Sequence, residues 1–173
     1  MHMLLYILII FIFLVLGSAA VAGFKAAPYV PTRTKEKERM LRLANIQPGE
    51  TVIDLGSGTG QLVMSAAKDY KARGIGYEIS ILPFIISVIW KLLRPGVSAS
   101  FHFKDFFSVD LSHADVIVFF LTPGAMKRLG PKLAKELKPG ARVVSLAFAI
   151  PDLPLTQKDK PQSNATPVFV YTK

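Results

Sequence analysis

The chain has 173 residues, of which 51% are hydrophobic and 19% charged, with a formal net charge of +9 at pH 7. A mean hydropathy of +0.39 excludes intrinsic disorder, and a single long apolar run excludes a polytopic membrane protein. The lack of Cys excludes a disulfide scaffold and any thiolate zinc or iron–sulfur site.

The first 24 residues carry no charged side chain, so all 21 basic and 12 acidic residues fall in the remaining 149. That length suits one compact domain. The expected division is an anchor over 1–24, a linker over 25–33 and a domain over 34–173. Met3 to Gly23 is an apolar run of 21 residues. As a helix it rises about 31 Å, the thickness of a bilayer's hydrocarbon core. The competing reading is a cleaved signal peptide, with Ala20-Val21-Ala22 as the small-x-small site. Against it, no Lys or Arg precedes the run, and the run is long for that role. Lys25, Arg33, Lys35, Lys37 and Arg39 follow it. The positive-inside rule then predicts a single-pass membrane protein with its domain on the cytoplasmic, or matrix-equivalent, face.

Ala26 to Thr34 holds two prolines and reads as an extended linker. Glu36 to Asn45 is expected to be helical and to end at Gln47-Pro48-Gly49. Strands are then expected at Thr51–Leu55, Gly74–Glu78, Ser98–Lys104, Ala114–Leu121 and Arg142–Ala149. Helices are expected between them, at Leu62–Tyr70, Ile81–Leu93 and Ala125–Leu137. Pro151 to Pro167 reads as a polar loop, and Val168 to Tyr171 as a short closing strand. This β–α alternation predicts a Rossmann-like, doubly wound α/β fold. Its mainly parallel sheet has six or seven strands, with helices on both faces.

Asp54-Leu55-Gly56-Ser57-Gly58-Thr59-Gly60 sits at the first strand-to-helix turn. Ligands of open α/β sheets bind at such a turn, where glycines allow a close backbone approach. A dinucleotide motif would need Gly at position 61, which is Gln61, and no Gly-Lys-Ser/Thr follows to make a P-loop. Glu78 ends the second strand, where a carboxylate can accept from a ribose diol, and Asp105 after the third strand could meet an adenine amino group.

With these residues in place, the sequence resembles the class I, seven-β-strand S-adenosylmethionine methyltransferases. Within them it is similar to the membrane-anchored protein-lysine methyltransferases of the adenine-nucleotide-translocase and ATP-synthase c-subunit type, with their archaeal and bacterial relatives. The similarity runs from Ala26 to Pro154. Its more specific pieces are Pro28-Tyr29-Val30-Pro31-Thr32 and Glu136 to Ser145 (ELKPGARVVS). The resemblance implies S-adenosylmethionine as cofactor. Asp54, Gly56, Gly58 and Gly60, with Ser57 in the same turn, would hold its methionine part. Glu78 would hold the ribose, and Ile79, Asp105 and Phe106 the adenine. Tyr29 and Thr32 would lie over the cofactor and a lysine channel. Tyr29, Thr122 and backbone carbonyls near Leu121 are the candidates for orienting the acceptor amine.

The sequence departs from the family at Thr59 and Gln61, where Asp and Arg are usual, and at Ser80, where Asn is frequent. The short C-terminus predicts a reduced last hairpin. The expected partners are lipid, through the N-terminal helix, and a protein lysine in or at a membrane. A monomer without nucleic acid or metal is expected. Methylation of a lipid or quinone-like molecule, and a non-catalytic cofactor-binding protein, stand as alternatives. Ile81 to Leu93 is apolar almost all round and too short to span a bilayer. It reads either as a core helix or as a contact with the membrane interface or a membrane-embedded partner. Lys127, Arg128, Lys132, Lys135 and Lys138 form a basic helix face, open to solvent, anionic lipid or nucleic acid.

Overall fold

A computed structural model describes residues 2–25, 27, 29–151 and 153–173. Ala26 and Pro28 of the expected linker and Asp152 of the expected loop lie outside the described residues, as does Met1. The helices are α1 (His2–Lys25), α2 (Thr34–Leu43), α3 (Gln61–Asp69), α4 (Ile81–Leu92) and α5 (Pro123–Glu136). The strands are β1 (Thr51–Leu55), β2 (Arg73–Glu78), β3 (Ala99–Phe103), β4 (Val116–Phe119), β5 (Arg142–Leu146), β6 (Leu155–Asp159) and β7 (Val168–Thr172).

The seven strands form one sheet in the order β3-β2-β1-β4-β5-β7-β6. β1 to β5 are parallel, and β7 lies antiparallel between β5 and β6. Chain order reverses between β1 and β4, so the carboxyl end of β1 borders the crevice where such sheets bind ligands.

Period-two alternation splits the strand side chains between two cores. Ile53, Leu55, Ile117 and Phe119 face α5, whose Met126, Leu129 and Leu133 are fully buried. Val52, Val116, Val118 and Val144 face the other way, onto Met40 and Leu41 of α2 and Leu62 and Ala66 of α3. All four residues of β4 are buried, as a central parallel strand with both faces covered requires.

One expectation is corrected. The stretch from Pro151 to Pro167 is not wholly loop: it contains β6 (Leu155–Asp159). The last hairpin is present, with β6 and β7 paired antiparallel and one irregularity between Leu155 and Gln157. β6 (LTQKD) is an edge strand with four exposed residues, so no apolar alternation marks it. At the opposite edge, α4 is not a core helix. Pro83 and Ser87 are its buried residues, while Leu82, Ile85, Ile89, Trp90 and Leu92 are exposed.

Candidate active site

The glycine turn leaves β1 and crosses the end of β2. The amides of Gly56 and Ser57 both donate to the Tyr77 carbonyl, at 3.0 and 2.9 Å. Gly58 has φ +54°, and a Cβ on it would lie 2.5 Å from Cε2 of Tyr29. Backbone and tyrosine ring thus both demand glycine at this position.

Glu78 is buried at the end of β2. Its Oε2 accepts from Gly58 N at 2.8 Å, and its Oε1 accepts from Ile79 N at 2.8 Å and Ser80 N at 2.7 Å. These charge-assisted bonds fasten the glycine loop to the strand end. A carboxylate has about four lone-pair positions, so one is left for a ligand hydroxyl.

Asp54, at the end of β1, is also buried. Burial first, and the charge of Glu78 second, push its carboxyl from the ordinary 3.8 up to about 8. Two neighbouring buried carboxylates are relieved either by a proton or by a bound cation. Ser57 Oγ is buried without a hydrogen-bond partner among the described residues. An unpaired buried hydroxyl costs about 1–3 kcal/mol, which a polar ligand atom would recover.

These groups line a narrow cleft at the carboxyl ends of β1 and β2. Tyr29, Val30, Phe120 and Leu121 give the lining an apolar part, and Ala22 of α1 also lines it. The Tyr29 hydroxyl lies 3.2 Å from Thr59 Oγ1, so the tyrosine is fixed across the glycine loop.

Of the residues expected from sequence, Tyr29, Thr32, Asp54, Gly56, Ser57, Gly58, Glu78, Ile79 and Phe106 line this cleft. Gly60, Asp105 and Thr122 stand outside the lining. Gly60 caps α3, and the Thr122 hydroxyl caps α5 by accepting from Ala125 N at 3.4 Å. Asp105 accepts from Phe107 N at 3.0 Å and pairs with Lys25 Nζ at 2.8 Å. Burial raises the Asp105 carboxyl, but the bonds from Lys25 and Phe107 and the charges of Lys25 and Arg128 prevail and hold it below the usual range. Arg128 also donates to the Lys25 carbonyl at 3.2 Å and stacks over Phe107, 4.0 Å from the ring centre.

Sequence reasoning missed Ala22, Ala27, Tyr77 and Lys104, which also line the cleft. Tyr77 and Lys104 adjoin strand ends already singled out. Ala22 carried no signal, because an apolar run shows nothing of what its last turn will touch. On the basic face of α5, Lys132 pairs with Glu136 at 2.7 Å and Lys138 with Asp115 at 2.5 Å. Lys127, Arg128, Lys135 and Lys138 are all exposed. No group of three or more His, Asp or Glu among the described residues could hold a metal ion.

The ANTKMT methyltransferase domain matches this chain over residues 54–157, and the histone methylation protein DOT1 over residues 22–85. The chain is 42% identical over 126 residues to a protein-lysine N-methyltransferase of Saccharolobus islandicus, covering 71% of this chain and 78% of that protein. It is 36% identical to the adenine nucleotide translocase lysine N-methyltransferase of Mus musculus, over 72% of this chain and 54% of that one. To the lysine N-methyltransferase of the ATP synthase c-subunit in Homo sapiens it is 34% identical, over 72% and 53%. The chain thus spans about half the length of the two mammalian relatives. A crystal structure of an RNA methyltransferase from Salinibacter ruber, in complex with S-adenosyl-L-homocysteine, superposes with a TM-score of 0.76 at 32% identity. That match covers 83% of this chain and 93% of the other.

Proposed function

The chain belongs to the ANTKMT methyltransferase-domain family, and from that membership we propose that it transfers a methyl group from S-adenosylmethionine to a lysine of a protein in or at a membrane. The observation that carries this reading is the composition of one cleft. Two buried carboxylates, a set of apolar side chains and the last turns of an apolar helix line the same cleft.

The residues present fit the cofactor. Asp54 is a buried acid with its carboxyl raised by burial and by Glu78, and it would take the ammonium end of the methionine part. The free lone-pair position of Glu78 would take a ribose hydroxyl. Ile79 and Phe106 would flank the adenine, and Ser57 Oγ has a hydrogen bond to give. S-adenosylmethionine supplies an electrophilic methyl group on a cationic sulfonium.

The chain's own part is positioning. An acceptor lysine must enter neutral, against an ordinary pKa of about 10.4. Val30, Phe120 and Leu121 in the lining disfavour the ammonium form by desolvation. Tyr29, held by Thr59, presents its hydroxyl there to orient the amine. Holding the reactants in line and excluding water supplies most of the acceleration in such a displacement.

α1 has 24 residues and is long and apolar enough to cross a membrane. We read it as a single-pass anchor with the domain on the cytoplasmic or matrix-equivalent side, supported by the basic residues that follow it. The name of the Salinibacter protein and the +9 charge favour RNA as a second acceptor class. Against it, Arg128, Lys132 and Lys138 of the α5 face are engaged within the fold.

The deciding experiment incubates membranes lacking the protein with the full chain and methyl-labelled cofactor. Protein, lipid and RNA fractions are then counted, and the labelled residue is mapped by mass spectrometry. Label on a protein lysine, absent with Glu78→Ala, is expected. Label confined to lipid or to RNA would sink the lysine reading, and no label in any fraction would favour a non-catalytic role.

A further inference from the structure

The exposed face of α4 is a surface that the cleft chemistry does not use. Leu82, Ile85, Ile89, Leu92 and Leu93 are all exposed, the last two at 72%. Their spacing of three and four residues puts them on one stripe. Phe103 of β3, 53% exposed, extends the patch beside Phe84. Leaving this much aliphatic surface in water is costly, at roughly 25 cal/mol per Å², and contiguous patches of this kind mark an interaction site.

Polar groups rim the stripe in one pattern. The Arg94 guanidinium, just past the end of α4, stacks 4.2 Å above the Trp90 ring, and Lys91 lies between the two in the chain. Beside Trp90 runs a groove that also carries Lys37, Lys68 and Arg94, with Asp69 as its acidic member. An aliphatic stripe, a tryptophan at its border and cations beyond it match the layering of a bilayer surface: acyl chain, interface, anionic headgroup.

The junction with α1 sets the depth. The amide of Ile81, first residue of α4, donates to Ser18 Oγ of α1 at 3.0 Å. Lys25 is the first charged residue after the apolar run, and from Ser18 to Lys25 a helix rises about 10 Å. A bilayer spanned by α1 up to that charge therefore reaches past Ser18. The first turn of α4 then lies at the depth where acyl chains begin.

We propose that α4 is a second membrane contact, lying in the interface of an anionic phospholipid bilayer. Its leucine–isoleucine stripe sits among the acyl chains, and Lys37, Lys68, Lys91 and Arg94 sit among the headgroups. The proposal rests on the reading of α1 as an anchor, and the test separates the two.

Trp90 is the one tryptophan of the chain, so its fluorescence reports on α4 alone. The full chain is reconstituted into phosphatidylcholine–phosphatidylglycerol vesicles, with and without lipids brominated near the headgroup end of the acyl chains. Sedimentation reads the anchor, and bromine quenching with acrylamide protection reads α4. The expected result is a sedimenting protein whose Trp90 is quenched by bromine and shielded from acrylamide. A Leu92→Glu/Leu93→Glu variant should cut quenching at least about twofold while still sedimenting. Quenching should also be weaker in pure phosphatidylcholine; equal quenching in both lipids would overturn the anionic part. A sedimenting protein with Trp90 open to acrylamide and unquenched overturns the α4 contact and leaves the anchor standing. Trp90 shielded but unquenched also overturns it, because a protein surface then covers the helix. Failure to sediment, with no quenching, overturns both.

Discussion

Asp54 carries the clearest electrostatic consequence at the level of single residues. Its carboxyl is raised from 3.8 to about 8, by burial and then by Glu78. The folded protein therefore holds a proton that the unfolded chain has lost across the window from about pH 4 to pH 8. Stability without ligand should fall as pH rises through that window, with the loss complete above the folded value. Thermal melts of the detergent-solubilised protein across this range should show the slope, and Asp54→Asn should flatten it. The same variant should bind S-adenosylmethionine more weakly at pH 8, because a neutral amide cannot answer an ammonium group. Glu78→Gln makes a different prediction. Its amide would set N–H against the N–H of Gly58, or against those of Ile79 and Ser80, now held by the carboxylate. A loss of about 1–3 kcal/mol in denaturant unfolding is expected, together with weaker cofactor binding in calorimetry. Both acids were legible in the sequence, because strand ends beside a glycine turn are where ligand groups belong. What stayed hidden was how Asp105 is used. Its partner Lys25 lies 80 positions away, and no local pattern signals a pairing at that separation.

At the scale of elements, the strand beneath the glycine loop is built around a missing side chain. A Cβ on Gly76 of β2 would lie 2.6 Å from Ser57 Oγ and 2.7 Å from Phe101 Cδ1. Gly76→Ala must therefore displace the loop or the neighbouring strand. A loss of about 1–3 kcal/mol is expected, seen as a lower melting temperature by scanning calorimetry. Cofactor affinity should fall with it, because Ser57 moves. Of the parallel strands, β1, β2, β4 and β5 could be read from sequence since each is buried on at least one face. β6 escaped because an exposed edge strand has no apolar face to alternate. α4 was ambiguous for the opposite reason. A helix apolar on every side does not say which side the fold will cover, and only its packing on β3 and α1 decides that.

For the whole molecule, the open question in the sequence was how two separately legible parts are joined. Composition alone divides an uncharged N-terminal run from a charged domain, yet Val15, Ser18 and Ala22 of α1 all turn toward the domain. Two truncations separate tether from wall. Removing residues 2–14 keeps Ser18, Ala22 and Lys25, and cofactor affinity in calorimetry should stay within about twofold of the full chain. Removing residues 2–25 takes away the Ala22 wall and the Asp105 partner, and affinity should fall by about tenfold. Equal affinity in the two truncations would reduce α1 to a tether.

Lys25 is gripped at both ends, its ammonium by Asp105 and its carbonyl by Arg128, one residue row beyond the turn that Ala22 presses against the cleft. These contacts tie the foot of α1 to the domain. With α1 upright in a bilayer, the mouth of the cleft would hang at one altitude above the lipid, like the jaw of a gauge. Acceptor lysines would then be sorted by height.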